Sequence, residues 1–575
     1  MKRLAIIFTV IMFAVPGCKK VLDYTPRGVV TADLLVTPDQ ADKLVIAAYA
    51  SLGNDFGGDR PIASMWMWGA VRSDDAYKGG GSVTDGGGGQ LDAFEQYNLI
   101  TTDMSRIDLL WSTLYNGVAR ANTALRIISK FSVAQYPNKN ARMAEARFLR
   151  GHFWFLLKTI YKYPAFADET VGDDSLKYVS NRKYTNDEGW NQIANDFQYA
   201  VDNLPVTQPE VGRANKLSAT AYLAKVRLYQ AYEQNEKNQV TSINQARLNE
   251  VISLCNTVIN SGKFGLFDDY AKNFIPLFKN GIESVFAIQF SLDDGTTIGR
   301  LNMSSSHNYN LAPGYGCCGW CQPSQTLVNA FKTDNNGLPL FNTYNNTEMK
   351  DSADFWNNSV DPRLDHTVGV PGHPYKYKPT FVYNKSWART PAIYGPYSTM
   401  KEMLTPDDPG LRKVGAFFGT NKNIDVIRYA DVLLWKAEAL IESGRQIEAL
   451  PLINQIRLRA KNSTGRLKNA SGNFSSNYLI GAYIDGVNCS WTQGFARQAL
   501  QYERRMEFAM ESPRFFDLVR WGIAAATLNN YISAEKTRHS FIANAFFTKG
   551  RDEYLPIPQP QIELTERLYK QNNGW

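Results

Sequence analysis

Three stretches of this 575-residue chain combine flat aromatic rings with hydrogen-bonding groups, the pair of contacts a polyhydroxy ring takes from a protein. The first, GNDFGGDRPIASMWMWGAVRSDD (53–75), offers acceptors at Asn54, Asp55, Asp74 and Asp75 and ring faces at Trp66 and Trp68. The second, PGYGCCGWCQPSQ (313–325), sets Tyr315 and Trp320 as stacking candidates around Cys317, Cys318 and Cys321. The third, NKSWARTPAIYGPYST (384–399), joins Trp387, Tyr394 and Tyr397 to Arg389, whose guanidinium can fork to neighbouring hydroxyls. Each stretch has a plainer reading. Rings fill cores as readily as they line sites, and Trp66 and Trp68 alternate with Met65 and Met67 as on a half-buried strand. Arg389 is equally suited to a surface ion pair.

The cysteine cluster admits several chemistries. A soft-metal site needs a fourth ligand in paired spacing, which is absent nearby, so neither a metal nor a cofactor is expected, with a structural calcium left open. A bridge between the neighbours Cys317 and Cys318 suits an oxidising compartment. It would present a flat sulfur pair on which a sugar could rest, or act as a local staple. Catalysis finds less support. None of the five histidines (His152, His307, His366, His373, His539) stands in an HExxH helix, and neither GxSxG nor GxxxxGK[ST] occurs. Adjacent carboxylates such as Asp74–Asp75 or Asp293–Asp294 say nothing of the cross-cleft spacing glycosidase chemistry requires. The chain is expected not to be an enzyme.

A formal charge of +7 over this length, without a long Lys/Arg run, leaves no footprint for nucleic acid. The N-terminus is more informative. Lys2 and Arg3 precede an apolar run, Leu4 to Val15, too short for a mature membrane span. It exits at Val15-Pro16-Gly17-Cys18, which resembles a bacterial lipobox with Cys18 as the acylated residue. The expectation is a signal peptide over 1–17 and a body, 18–575, anchored by lipid.

Helical periodicity predicts elements over Asp39–Leu52, 109–131, 144–164, Trp190–Leu204, Lys216–Glu233 and Ile243–Ser261. It returns at Ile427–Ser443, Ile447–Ala460, Phe495–Glu511 and Arg514–Leu528. Two regions break it. The span 53–102 carries the glycine runs Gly79–Gly81 and Gly86–Gly89 and reads as mobile loop. From about 264 to 423, short apolar runs alternate with Gly, Pro, Asn and Tyr, a loop-rich segment too aromatic for disorder. Antiparallel helix pairs at mid-thirties spacing suggest a tetratricopeptide-like solenoid, helped by small residues such as Ala219, Ala221, Ala224, Ala437 and Ala439. The fold class is mostly α, a helical-pair scaffold (about 38–262 and 425–530) carrying a large loop-rich face.

One segment carries the strongest signature: ERRMEFAMESPRFFDLVRWG (503–522), read as two helices broken at Pro513. Arg514, Asp517 and Arg520 stand three apart, so one carboxylate can pair on either side, the arrangement of a structural clasp. This segment resembles the C-terminal hallmark of the SusD/RagB family of outer-membrane nutrient-binding lipoproteins. LWSTLYNGVARANTAL, AEARFLRGHFWFLLKTIYKYP, PSQTLVNAFKTDNNGLPL, DPRLDHTV, IDVIRYADVLLWKAEAL, INQIRLRA and YLPIPQ match in order, almost end to end. The resemblance implies a single SusD-like domain with four tetratricopeptide-like pairs beneath a loop-built face. It places the loop after the first helix near that face. It also implies a cell-surface protein that captures oligosaccharide or polysaccharide for a partner TonB-dependent, SusC-like barrel in the outer membrane. Capture of peptides, or a scaffold that binds only proteins, are the alternatives.

Overall fold

The computed structural model describes residues 37–53, 61–296 and 300–575; the signal segment, Cys18, Asn54 and Asp55 lie outside them. Helix starts are written into the chain as caps. Thr37 and Gln40, Thr185 and Glu188, and Asn215 and Ser218 each form a reciprocal box that satisfies amides with no helical partner. These caps open the solenoid helices α1 (Pro38–Ala50), α4 (Asn186–Asn203) and α5 (Lys216–Ala231). Between and after them run α2 (Ser105–Ser129), α3 (Lys139–Tyr161) and α6 (Gln245–Asn260).

Each helix packs on the next, α2 on α3, α3 on α4, and so through α6, with α1 laid against α2 and α3. Contact is close where a side chain is missing: a Cβ at Gly117 of α2 would stand 2.5 Å from the Phe153 ring of α3. After α6 the chain leaves the stack and returns as α7 (Tyr429–Glu442), which packs on α6 as though nothing intervened. Then α8 (Gln446–Lys461) and α9 (Gln493–Phe508) complete a run of four pairs: α2–α3, α4–α5, α6–α7 and α8–α9. Stacked repeats of this kind bury one continuous core, here from Ala48 to Ile557. The fold expected from the helical spacing is the fold observed, with boundaries shifted by up to five residues, except that the helix expected over Arg514–Leu528 stops at Arg520 and a second runs over Ala524–Glu535.

The excursion between α6 and α7 holds the loop-rich region. Its two ends are joined as antiparallel strands, Ser284–Ile288 against Ile424–Arg428, so the insertion starts and stops at one place on the scaffold. All sheets among the described residues are two-stranded. The expectation of a mobile loop over 53–102 is corrected: residues 61–80 are almost wholly buried, with a π-helical turn at Trp66–Ala70 and a strand at Ala76–Gly79. The glycine runs lie between the end of that strand and Gln90–Gln96, which is helical.

The 503–522 segment fastens insertion to solenoid through buried ion pairs. Glu507 of α9 accepts from Arg363 in the insertion (3.2 Å), from Arg428 at its closing strand (2.9 Å) and from Arg459 of α8 (2.5 Å). Glu503 accepts from Arg363 (2.7 Å) and Arg457 (2.9 Å). The expected pairing of Asp517 with arginines on both sides is half right. Arg520 is bound at 2.9 Å, but the other partner is Arg504 (2.7 Å). Arg514 turns away to Asp74 (2.8 Å), which lies outside this segment altogether.

Candidate functional site

Ala76–Gly79 and Trp320–Pro323 pair antiparallel, which brings the first two sequence stretches together. The third crosses over them: Thr390 donates to the Gly80 carbonyl (2.9 Å), and Arg389 Nη1 donates to the Cys318 carbonyl (3.2 Å). The three stretches therefore converge on one face. What they present there differs from what the sequence suggested.

Asp85, between the two glycine runs, is the hub. Its Oδ2 accepts from the Gly81 amide (2.8 Å), the Trp320 indole (3.3 Å) and Arg389 Nη1 (3.3 Å). Burial raises its pKa, but the Gly81 and Trp320 N–H groups and the Arg389 charge outweigh that and hold it below the usual carboxylate range. The loop carrying Asp85 is wrapped around an ammonium. Lys78 Nζ donates to the carbonyls of Ser82 (2.8 Å), Val83 (3.1 Å) and Asp85 (3.3 Å), with Asp92 at 3.8 Å. Glycine is required where the loop meets the ring. Gly80 has φ +88°, and a Cβ there would sit 2.4 Å from Trp320 Nε1.

Trp320 is buried under this loop, stacked on His307 with centroids 4.6 Å apart and planes at 26°. Trp66 lies behind it at 6.0 Å, its indole donating to the Ser304 carbonyl (3.0 Å). The expectation that Trp320 and Trp66 offer open stacking faces is therefore corrected: they are the wall behind the site. Trp68 is fully inside, edge-on to Phe94, because the π-turn rather than a strand directs both tryptophans inward. Asp74 and Asp75 are corrected likewise. Asp74 pairs with Arg505 (3.1 Å) and Arg514 (2.8 Å), and Asp75 with Arg505 (2.9 Å), all within the protein. Burial pushes the Asp74 pKa up, yet Arg505 and Arg514 prevail and hold it at about 2.

Three expected residues, Cys317, Tyr315 and Arg389, stay at or near the surface, while Cys318 is buried. Cys317 and Cys318 are bonded to each other, with Cys317 half-buried beside the exposed Gly316. Arg389 is exposed. Tyr315 is half-buried, its ring edge-on to Tyr309 and its hydroxyl donating to the Leu404 carbonyl. Cys321 is free and buried, which pushes its thiol pKa up.

Beyond Arg389 the same segment walls a cleft of about 550 Å³, lined by Tyr394, Gly395, Pro396 and Tyr397, with Lys350, Asp351, Lys385 and Arg538 among its charged lining. That volume is in the range of small-molecule sites. Tyr394 is buried, its hydroxyl without a protein partner, and Tyr397 donates to the Met349 carbonyl (2.5 Å). The expectation of an open Tyr394 face is therefore corrected: its ring lies behind the cleft wall, and the charged lining supplies the hydrogen-bonding groups. Sequence reasoning missed Asp85, Lys78 and Thr390. The available signal was a lone carboxylate between two glycine runs, since such loops bring backbone and acid to the same point. Among the described residues, no group of three or more His, Cys, Asp or Glu is arranged to hold a metal ion. No described helix is long and apolar enough to cross a membrane.

Comparison with known proteins fits this geometry. The profile described as the SusD family matches residues 282–575, and one described as starch-binding, associating with the outer membrane, matches 88–228. Among relatives, a SusD-like protein of Bacteroides ovatus is 26% identical over 90% of this chain and 82% of its own. SusD-like protein P2 of Formosa agariphila is 24% identical over all of both chains. Among solved structures, surface glycan-binding protein A of Bacteroides thetaiotaomicron in complex with laminarihexaose superposes with a TM-score of 0.66 at 20% identity, covering 94% of this chain and 100% of that one.

Proposed function

The chain belongs to the SusD family, and from that premise we propose that it is a surface glycan-binding lipoprotein, without chemistry of its own, that captures oligosaccharide or polysaccharide and delivers it to a SusC-like, TonB-dependent barrel. The carrying observation is the convergence of three loop stretches on one face. There the Asp85–Arg389 pair and the Cys317–Cys318 bridge stand beside the 550 Å³ cleft of Tyr394 and Tyr397. The outer-membrane description of the profile over 88–228 supports the location, and the sugar bound by one fold neighbour supports the ligand class. Cys18 is the anchoring residue in this reading.

Arg389 and Asp85 present a fork and an acceptor to vicinal hydroxyls, while the bridge and the cleft offer apolar surface to the C–H faces of a ring. Such groups work from loops because the four helix pairs beneath hold them rigidly. Isothermal titration against neutral polysaccharides, laminarin and starch included, and against oligopeptides tests the ligand class. Saturable binding of at least one glycan is expected; heat from peptides alone contradicts the reading. Cys18→Ala is expected to move the protein from the membrane to the soluble fraction, and retention at the membrane would defeat the anchor.

A further inference from the structure

A second space lies away from the loop face. A cavity of about 140 Å³ lies between α3, α5 and the 508–516 segment, with Trp66 on its wall. Three polar atoms that border it have no hydrogen-bond partner in the protein: Ser305 Oγ, Asn308 Oδ1 and Ser512 Oγ, on residues no more than 5% exposed. Buried polar groups are almost always hydrogen-bonded, so their gathering around one space marks a place built for a polar occupant. The ammonium of Lys225 faces the same space. It rests 4.9 Å from the Phe155 ring centroid and 5.4 Å from that of Tyr222, and makes no ion pair among the described residues.

The free groups are unequal in charge. Each bordering carboxylate is engaged: Glu402 by Lys422 (3.2 Å), Asp425 by Ser284, Asp431 by the Arg428 amide (3.2 Å), and Glu511 by Lys401 (2.7 Å) and Arg428. The Lys225 ammonium is left over, and Arg504 Nη1, paired to Asp431 only at 3.6 Å and without a hydrogen bond, has donor capacity to spare beside it. Backbone strain collects here as well. Met65 (φ 55°), Met510 (φ 66°) and Ser512 (φ 78°) all border the cavity in the left-handed region. Strain of this kind persists at sites where surrounding structure imposes it for use.

We propose that this cavity is a second binding site, distinct from the loop face, for a small sugar acid. Lys225 and Arg504 take the carboxylate; Ser305, Asn308 and Ser512 take hydroxyls; Trp66 and Phe508 wall the ring. The proposal stands independently of the loop-face reading, and the test separates them. Glucuronate, glucose and acetate are titrated into the intact protein, following tryptophan fluorescence and melting temperature. Glucuronate is expected to bind saturably and raise the melting temperature, glucose and acetate to do neither. Lys225→Met should weaken glucuronate binding at least tenfold, whereas Arg389→Ala should leave it unchanged. Asn308→Leu, which fills the space, carries the same expectation as Lys225→Met should that variant not fold. Absence of saturable glucuronate binding, binding indifferent to both cavity variants, loss in Arg389→Ala, or equal binding of glucose or acetate overturns the proposal.

Discussion

Two arginine–aspartate pairs in this molecule use the same chemistry to opposite ends. Arg505 and Asp74, 3.1 Å apart, are each 2% exposed in their side chains. Arg389 and Asp85, 3.3 Å apart, are 37% and 27% exposed. In the first pair every charge is spent inside, joining the clasp to the strand that leads into the glycine loop. In the second, one carboxylate oxygen of Asp85, Oδ2, is spent on the loop, while the other oxygen and the ends of the guanidinium stay available to solvent and ligand. On the proposed reading, exposure rather than residue type divides structure from recognition.

Four measurable contrasts follow from it, and the largest lies in the clasp. Glu507→Ala leaves Arg363, Arg428 and Arg459 facing one another without their shared carboxylate. A buried charge stripped of its partner costs about 3–5 kcal/mol, so urea unfolding should report a loss of that size. A change under 1 kcal/mol would show the network to be dispensable.

Acid should act next. Asp74 has its pKa held at about 2, below the ordinary carboxylate value, so its pairing stabilises fully above about pH 4 and is lost as pH falls through 2. A loss on the order of 2 kcal/mol is expected across that window, and Asp74→Asn should remove that part of the pH dependence. Unaltered acid sensitivity in Asp74→Asn would assign it elsewhere.

The rim pair should respond the other way. Arg389→Ala is expected to shift stability by less than about 1 kcal/mol, as exposed pairs do, while weakening glycan binding about tenfold. A stability loss as large as that of Glu507→Ala would erase the contrast between the two regions. Smaller still, Tyr394→Phe removes a hydroxyl with no protein partner, so stability should hold within about 0.5 kcal/mol. Calorimetry on the same variant tells whether that hydroxyl touches the ligand.

The same contrast explains what could be read from the chain. The solenoid was legible because a packed helix face imposes a period, as the Leu110, Leu114, Ala121 and Leu125 stripe of α2 does. The family signature at 503–522 was legible, yet its pairing was not, because Asp74 reaches Arg514 across 440 residues of chain. Trp66 and Trp68 misled for a different reason. An alternating apolar run does not distinguish a strand from a π-turn, and only the packing of Ser512 against Gly69 and of Phe94 against Trp68 settles which way the rings point. Trp320 was placed at the right locus but the wrong depth, since the glycine loop that covers it looks on paper like open chain. Asp85 was passed over because a single acid in a glycine run has no period at all.

The most direct test of glycan capture at this face is calorimetric titration of the double variant Asp85→Ala/Arg389→Ala with a glycan that binds the unaltered protein, alongside its melting curve. The account predicts binding lost beyond detection with a melting temperature within a few degrees of the original. Undiminished affinity in a folded double variant would contradict it and move the site off this face.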